Sequence, residues 1–207
     1  MSVVHLIDTV TEWARHNICE QVKLKQPPEH MDANDAGYQY TLVTPAAFAV
    51  YTPTADKLPQ GVLAPFPSLC VRLLSGKDNL SSGSGTAEIQ FCFSTWDTGL
   101  HGKDVFYPDK DKPGEWKRWS GAQADAYFAR NGAGWRDVWN FVDVALRALE
   151  SVTQIGGYAI DRTQPIQYGP LTEQESIPDF YPFWFAWVSF KLTYPLVRNT
   201  EDFQKFL

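Results

Sequence analysis

Hydrophobic and polar positions follow two different periods along this chain. Apolar residues recur every three to four positions in 3–18 and 135–150, which predicts two amphipathic helices. Elsewhere a period of two predicts strands. The predicted strands cover residues 22–25, 38–43, 68–74, 86–94, 155–160, 164–168 and 183–194, with 45–51 either a strand or a short helical turn leading into one.

Each predicted helix has a continuous apolar stripe that a core would cover. The stripe of the first helix is Val3, Leu6, Ile7, Val10, Trp13, Ala14 and Ile18, and that of the second is Trp135, Val138, Val142, Ala145 and Leu149. Gly134 precedes the second helix and Gly156-Gly157 follows it, as turn residues do at helix boundaries.

The last strand is the most apolar and aromatic segment of the chain. One of its faces carries Trp184, Ala186, Val188, Phe190, Leu192 and Tyr194. The other face begins with Phe183, Phe185 and Trp187 and continues with Ser189, Lys191 and Thr193. This pattern predicts a strand that is covered on both faces at its start and on one face at its end. Either a helix of the same chain or a neighbouring subunit covers the second face.

The order of elements predicts an α+β fold in a single domain, residues 1–207. We expect a largely antiparallel mixed sheet with the two main helices packed on one face. Residues 97–133 form an irregular insertion that includes a short helix over 120–130, and residues 196–207 form a tail. Residues 76–85 are rich in glycine and serine and are predicted to be a flexible loop.

Composition limits the classes of function that the chain can have. Of its 207 residues, 44% are hydrophobic and 20% are charged, which is typical of a folded domain. The net charge of −6 argues against a protein that clamps nucleic acid through its phosphates. With no apolar run long enough to cross a membrane and no signal sequence, we expect a protein of the reducing cytoplasm without a membrane partner.

Candidate chemistry is sparse. His16 and Glu20 lie one helical turn apart but lack a third ligand for a metal. Residues 109–114 imitate the start of a calcium loop, yet Ser120 stands where the bidentate glutamate belongs, so we interpret them as a charged turn. Cys19, Cys70 and Cys92 lack an activating neighbour. We therefore predict no catalytic residue, no cofactor and no metal, and a protein that is not an enzyme.

Several segments together resemble the tail terminator and neck (tail completion) proteins of long-tailed bacteriophages. They are Ala64-Pro65-Phe66-Pro67 before a strand, the strand 89–93, Gly134-Trp135-Arg136-Asp137 opening a helix, and Pro182-Phe183-Trp184 entering the last strand. Most of the likeness lies in residues 135–195. The insertion at 97–133 departs from that family.

The resemblance implies a structural virion protein that forms a homo-oligomeric ring, typically a hexamer. Such a ring caps the tail tube, contacts the tube protein and the head–tail connector protein, and lets DNA pass through its bore without specific binding. We expect it in the host cytoplasm during assembly and then in the neck of the virion.

A head-to-tail ring needs two different patches on each subunit. We expect one at Phe183, Phe185 and Trp187, and the other at a loop containing Gly83, Ser84 and Gly85. The alternatives are another connector or minor virion protein, or, in a different class, a cytoplasmic enzyme or small-molecule-binding domain with a pocket in the aromatic-rich insertion.

Overall fold

The computed structural model describes residues 2–28, 40–62, 64–99, 106–118, 134–173 and 176–196. The helices are α1 (Val3–Asn17) and α2 (Arg136–Ser151), with short 3-10 turns at Cys19–Gln21 and Ala55–Lys57. The strands are β1 (Leu24–Gln26), β2 (Thr41–Val43), β3 (Ala46–Ala49), β4 (Ser68–Asn79), β5 (Ser84–Trp96), β6 (Phe106–Pro108), β7 (Trp116–Arg118), β8 (Gln154–Ile155), β9 (Tyr158–Ile160), β10 (Gln167–Pro170) and β11 (Phe183–Pro195).

Seven of the described strands form one sheet in the order β3-β4-β5-β11-β9-β8, with β10 also paired to β11. The pair β3–β4 is parallel and the other pairs in this sheet are antiparallel. Two smaller antiparallel pairs, β1–β2 and β6–β7, stand apart from it. The predicted α+β class and the largely antiparallel mixed sheet are therefore confirmed.

Both helices pack on the same face of this sheet. Val71, Phe91 and Val188 face each other across three adjacent strands, and all three side chains are fully buried. Trp13 of α1 stacks on Phe91 with ring centroids 6.4 Å apart, and Phe141 of α2 meets the next aromatic residue of β5 at 4.9 Å. This helix-covered face is the main core, as the period-two pattern predicted.

The apolar stripe predicted for α2 needs two corrections. Trp135 precedes the helix and is 39% exposed, so it does not belong to the core. Phe141, which the predicted stripe omits, is fully buried. Sequence spacing alone does not exclude Trp135, because a residue one step before a helix continues the period of the apolar stripe.

The predicted flexible loop at 76–85 is wrong, because most of it is strand. β4 continues to Asn79 and β5 begins at Ser84, so only four residues form the turn between them. The Asn79 carboxamide oxygen accepts hydrogen bonds from the backbone N–H groups of Ser81 (3.1 Å) and Ser82 (3.3 Å), which closes the turn. We call residues 75–85 the hairpin arm.

One other predicted segment differs from the structure, and part of the insertion is regular. Residues 155–160 are a hairpin rather than one strand, since Gly156 at φ 58° turns the chain between β8 and β9. Within the insertion, residues 109–115 are the turn between β6 and β7. The predicted helix at 120–130 and residues 197–207 of the tail lie outside the described residues. No helix in the described part of the chain has the length and apolar character needed to cross a membrane.

Candidate subunit interface

Aromatic side chains of the same chain cover the start of β11 on the face away from the helices. The ring of Phe66 lies 5.0 Å from that of Phe183 and 6.3 Å from that of Phe185, measured between centroids. Phe180 packs edge-on against Phe185 at 5.6 Å. Connecting segments therefore supply this cover, rather than the helix that was one of the two expectations, and Phe183 and Phe185 remain partly exposed.

The side chain of Trp187 contacts the neighbouring strand β10 of its own chain. Its indole N–H donates a hydrogen bond to the carbonyl oxygen of Pro170 at 3.0 Å. A Cβ on Gly169 would lie 3.3 Å from the indole ring, so the absence of a side chain there permits the close contact. Trp187 thus combines packing with an intramolecular hydrogen bond, which the side chains of Phe183 and Phe185 cannot donate.

An apolar groove of about 260 Å³ opens at this end of the sheet. We call it the aromatic groove, and its described lining is Trp135, Val138, Trp139, Pro170, Leu171, Ile177, Pro178, Asp179, Phe180, Tyr181, Phe183, Trp184 and Phe185. On its rim Ile177 is 69% exposed and Phe180 is 43% exposed. Asp179 is the one carboxylate of this described lining. Such a surface is suited to an apolar partner rather than to acid–base chemistry.

The prediction of two site residues in this groove left most of its wall unassigned. Phe183 and Phe185 line it and Trp187 does not. No site residue was predicted within residues 170–182. The signal available in the sequence was the density of large apolar residues in that loop, where Leu171, Ile177, Phe180 and Tyr181 are each more than one third exposed.

Hydrogen bonds to residues 97–98 fix the groove in position. The indole N–H of Trp184 donates to the carbonyl oxygen of Asp97 at 2.8 Å, and the hydroxyl of Tyr181 donates to that of Thr98 at 3.0 Å. The backbone N–H of Asp97 donates to the carbonyl of Pro182 at 3.0 Å. The end of β5 thus anchors two groove side chains and the start of β11.

A small buried charge cluster lies behind this anchor. The ammonium of Lys25 is 2.6 Å from a carboxylate oxygen of Asp97, whose side chain is almost completely buried. Asp137, in the first turn of α2, is also partly buried beside it. Burial, reinforced by the negative charge of Asp97, raises the pKa of Asp137 to about 6. One positive and two acidic groups therefore meet where β1, β5 and α2 converge.

The hairpin arm lies at the opposite end of β11, where Pro195 faces Ser84. Gly83 occupies the turn at φ 64°, while Ser84 and Gly85 belong to β5. Gly85 is buried under Tyr194, because a Cβ there would lie 2.2 Å from the tyrosine ring. The exposed apolar residue of the arm is Leu80, at 88%.

The other candidate groups show no sign of activated chemistry. Cys70 and Cys92 are direct cross-strand neighbours, which the sequence did not reveal, and all three cysteines are free. Burial raises the pKa of the Cys92 thiol to about 11 and that of Cys19 to about 12. The imidazole of His16 is hydrogen-bonded to Glu12 at 2.8 Å and to Glu20 at 2.9 Å. Within the described ranges, no three histidine, cysteine or acidic residues form a cluster suited to a metal.

The geometry defines a class of protein, an α+β domain with an exposed aromatic groove at one end of its sheet and a β-hairpin arm at the other. Comparison with known proteins adds no name to this class. No protein-family model matches the chain, and no curated protein matches it significantly.

Proposed function

We propose that this chain is the subunit of a head-to-tail ring that caps the tail tube of a long-tailed bacteriophage. One observation carries the ring: two dissimilar surfaces stand at opposite ends of β11, the aromatic groove at Phe183 and the hairpin arm at Pro195. A heterologous interface joins two different patches, and it closes into a ring when the rotation between subunits allows.

The assignment to a phage tail is supported by the sequence resemblance over residues 135–195. In this role the ring ends polymerisation of the tube, contacts the tube protein on one side and the head–tail connector on the other, and becomes part of the virion. The net charge of −6 per subunit, repeated around the ring, disfavours binding of the DNA that passes through.

The apolar lining of the groove favours this proposal over a small-molecule-binding domain or an enzyme. Its described wall combines many aromatic and aliphatic side chains with one carboxylate, Asp179. Exposed aromatic residues of this kind are typical anchors of protein interfaces. A small-molecule-binding domain would instead be a monomer whose melting temperature rises with its ligand.

The test is the mass of the purified protein by light scattering on a sizing column, with negative-stain images of the peak. We expect open rings with a mass near six times 23.4 kDa. Ile177→Arg should give a folded monomer, because Ile177 is 69% exposed and its loss leaves the core intact. The matched control is Tyr51→Arg, at a site 63% exposed and outside both surfaces, which should still form rings. A monomer at every concentration contradicts the proposed ring, and rings formed equally by Ile177→Arg contradict the role of the aromatic groove in the subunit contact.

A further inference from the structure

We propose that Phe203, Phe206 and Leu207 of one subunit dock on the aromatic groove of its neighbour, with one aromatic side chain inside the groove and the others against its rim. This inference rests on the proposed function, because it names the segment that joins adjacent subunits in the ring. It follows from the chemistry of the groove, from the sequence of residues 197–207, and from the distance between the groove and Leu196, after which this segment begins.

The groove needs an apolar occupant of limited size. Its volume of about 260 Å³ is larger than the roughly 150 Å³ cavity that accommodates benzene in a protein core, so it has room for an aromatic side chain with part of a second residue. Ile177 and Phe180 on the rim add apolar area outside that volume. Covering such a surface with a partner stabilises the complex by removing it from water.

Residues 197–207 carry a matching set of apolar side chains. Phe203, Phe206 and Leu207 stand at positions i, i+3 and i+4, the spacing that places side chains on one side of a helical turn. The charged residues of the segment are Arg198, Glu201, Asp202 and Lys205, whose charges cancel. The sequence of the segment therefore has apolar residues at the spacing that recognition of a helix in a hydrophobic groove uses.

The segment leaves the sheet at the end that is far from the groove. The backbone N–H of Leu196 donates to the carbonyl of Gly83 in the hairpin turn at 2.8 Å. Phe185, the last groove residue on β11, lies about 35 Å from Leu196 at roughly 3.3 Å per residue of strand. The donor segment and the groove are thus separated by most of the length of the strand.

This separation disfavours the groove of the same subunit, which the segment reaches only when it is almost fully extended. A fully extended chain gains at most about 3.5 Å per residue, so Phe203 reaches about 25 Å from Leu196. Phe206 would reach Phe185 of the same subunit only with the chain completely straight. If the segment contained a helical turn, whose rise is about 1.5 Å per residue, it would be far too short to reach that groove. The groove of a second copy has no such limit, and a contact from one end of a subunit to the other end of the next is head-to-tail.

A binding experiment tests the pairing independently of the ring. The full chain carrying Phe203→Asp and Phe206→Asp cannot fill a neighbouring groove, and a fluorescent peptide of residues 197–207 is titrated against it. We expect saturable binding, weakened about tenfold or more when Ile177→Arg is added and equally weakened when the peptide carries the two aspartates. Tyr51→Arg should not change the affinity. No binding, or binding unaffected by Ile177→Arg, overturns the inference and leaves another segment of the chain as the cover of the groove.

A cross-linking experiment tests whether the contact joins two copies. Ile177→Cys combined with Leu207→Cys should give a ladder of covalent oligomers under mild oxidation on a non-reducing gel. Tyr51→Cys with Leu207→Cys should give none. A cross-link confined to single chains would contradict the reach argument.

The two proposals fail in different ways. If wild-type protein and the variant with Phe203→Asp and Phe206→Asp both form rings, the result supports the proposed ring and contradicts the inference about residues 197–207. If the peptide binds the groove but the wild-type protein forms no ring, the result supports the contact between residues 197–207 and the groove and contradicts the proposed function.

Discussion

Gly134 lies directly against the backbone of Asp97, so closely that a Cβ on Gly134 would stand 2.3 Å from the Asp97 carbonyl oxygen. Gly134 also has φ 75°, a conformation that side chains with a Cβ rarely adopt. The same carbonyl accepts the hydrogen bond of Trp184 in the groove. Thus Gly134, two residues before α2, and Asp97, the residue after β5, together set the position of the groove wall.

Replacing Gly134 with alanine should therefore destabilise the protein. We expect a loss of about 2–4 kcal/mol from the strained backbone and the displaced carbonyl, measured by urea unfolding. Gly157→Ala is the control, because no atom lies within 4 Å of the added Cβ there, and its effect should stay below about 1 kcal/mol. Equal effects of the two substitutions would argue against the close approach.

The raised pKa of Asp137 makes stability depend on pH. The folded carboxyl keeps its proton up to about pH 6, whereas the unfolded one loses it near pH 3.8, so this group lowers stability as pH rises through that window. Asp137→Asn, which stays neutral, should be more stable than the wild type by about 1–2 kcal/mol at pH 8 and nearly equal to it at pH 4.

Thermal unfolding across pH 4–8 measures this difference between Asp137→Asn and the wild type. Asp143→Asn, at an exposed position on the same helix, serves as the control for removing a carboxylate from α2. A stability difference that is constant with pH would show that Asp137 does not retain its proton in the folded state.

The three thiols should react slowly in the native protein. Burial raises the pKa of the Cys92 thiol to about 11, which lowers its thiolate fraction at pH 8 about 100-fold relative to an ordinary cysteine. Cys19 and Cys70 are buried as well. Titration with Ellman's reagent should detect three thiols in guanidinium and slow labelling without it, led by the half-buried Cys92. Rapid stoichiometric labelling of one native thiol would contradict this.

Trp187 should matter for folding more than for contacts between subunits. Trp187→Phe removes the hydrogen bond to Pro170 and part of the ring packed on Gly169, which should cost about 1–2 kcal/mol in urea unfolding. Tyr168 has an exposed side chain on β10, the strand that carries Gly169 and Pro170. Tyr168→Phe should change stability by less than about 0.5 kcal/mol. A Trp187→Phe variant as stable as the wild type would show that the hydrogen bond to Pro170 and the contact with Gly169 do not stabilise the fold.

The hairpin arm explains why composition misled the prediction of a loop. Glycine and serine between 76 and 85 are typical of flexible chain, yet Gly85 is required because Tyr194 from β11 lies over it. That contact joins residues more than one hundred positions apart, so no local pattern contains it. The aromatic groove was underestimated for the same reason, since its wall combines α2, the 177–181 segment and the start of β11.

Periodicity alone determined both helices to within two residues at each end, the long strands β5 and β11, and the core face of each. It could do so because burial against one face imposes the period of the element on its apolar residues. The tertiary structure decided which strands pair, and that Trp135 and Phe185 line one groove whereas Trp187 contacts β10. Strand pairing and the groove wall depend on contacts between segments that are distant in the sequence, so they are fixed only when the whole chain is packed.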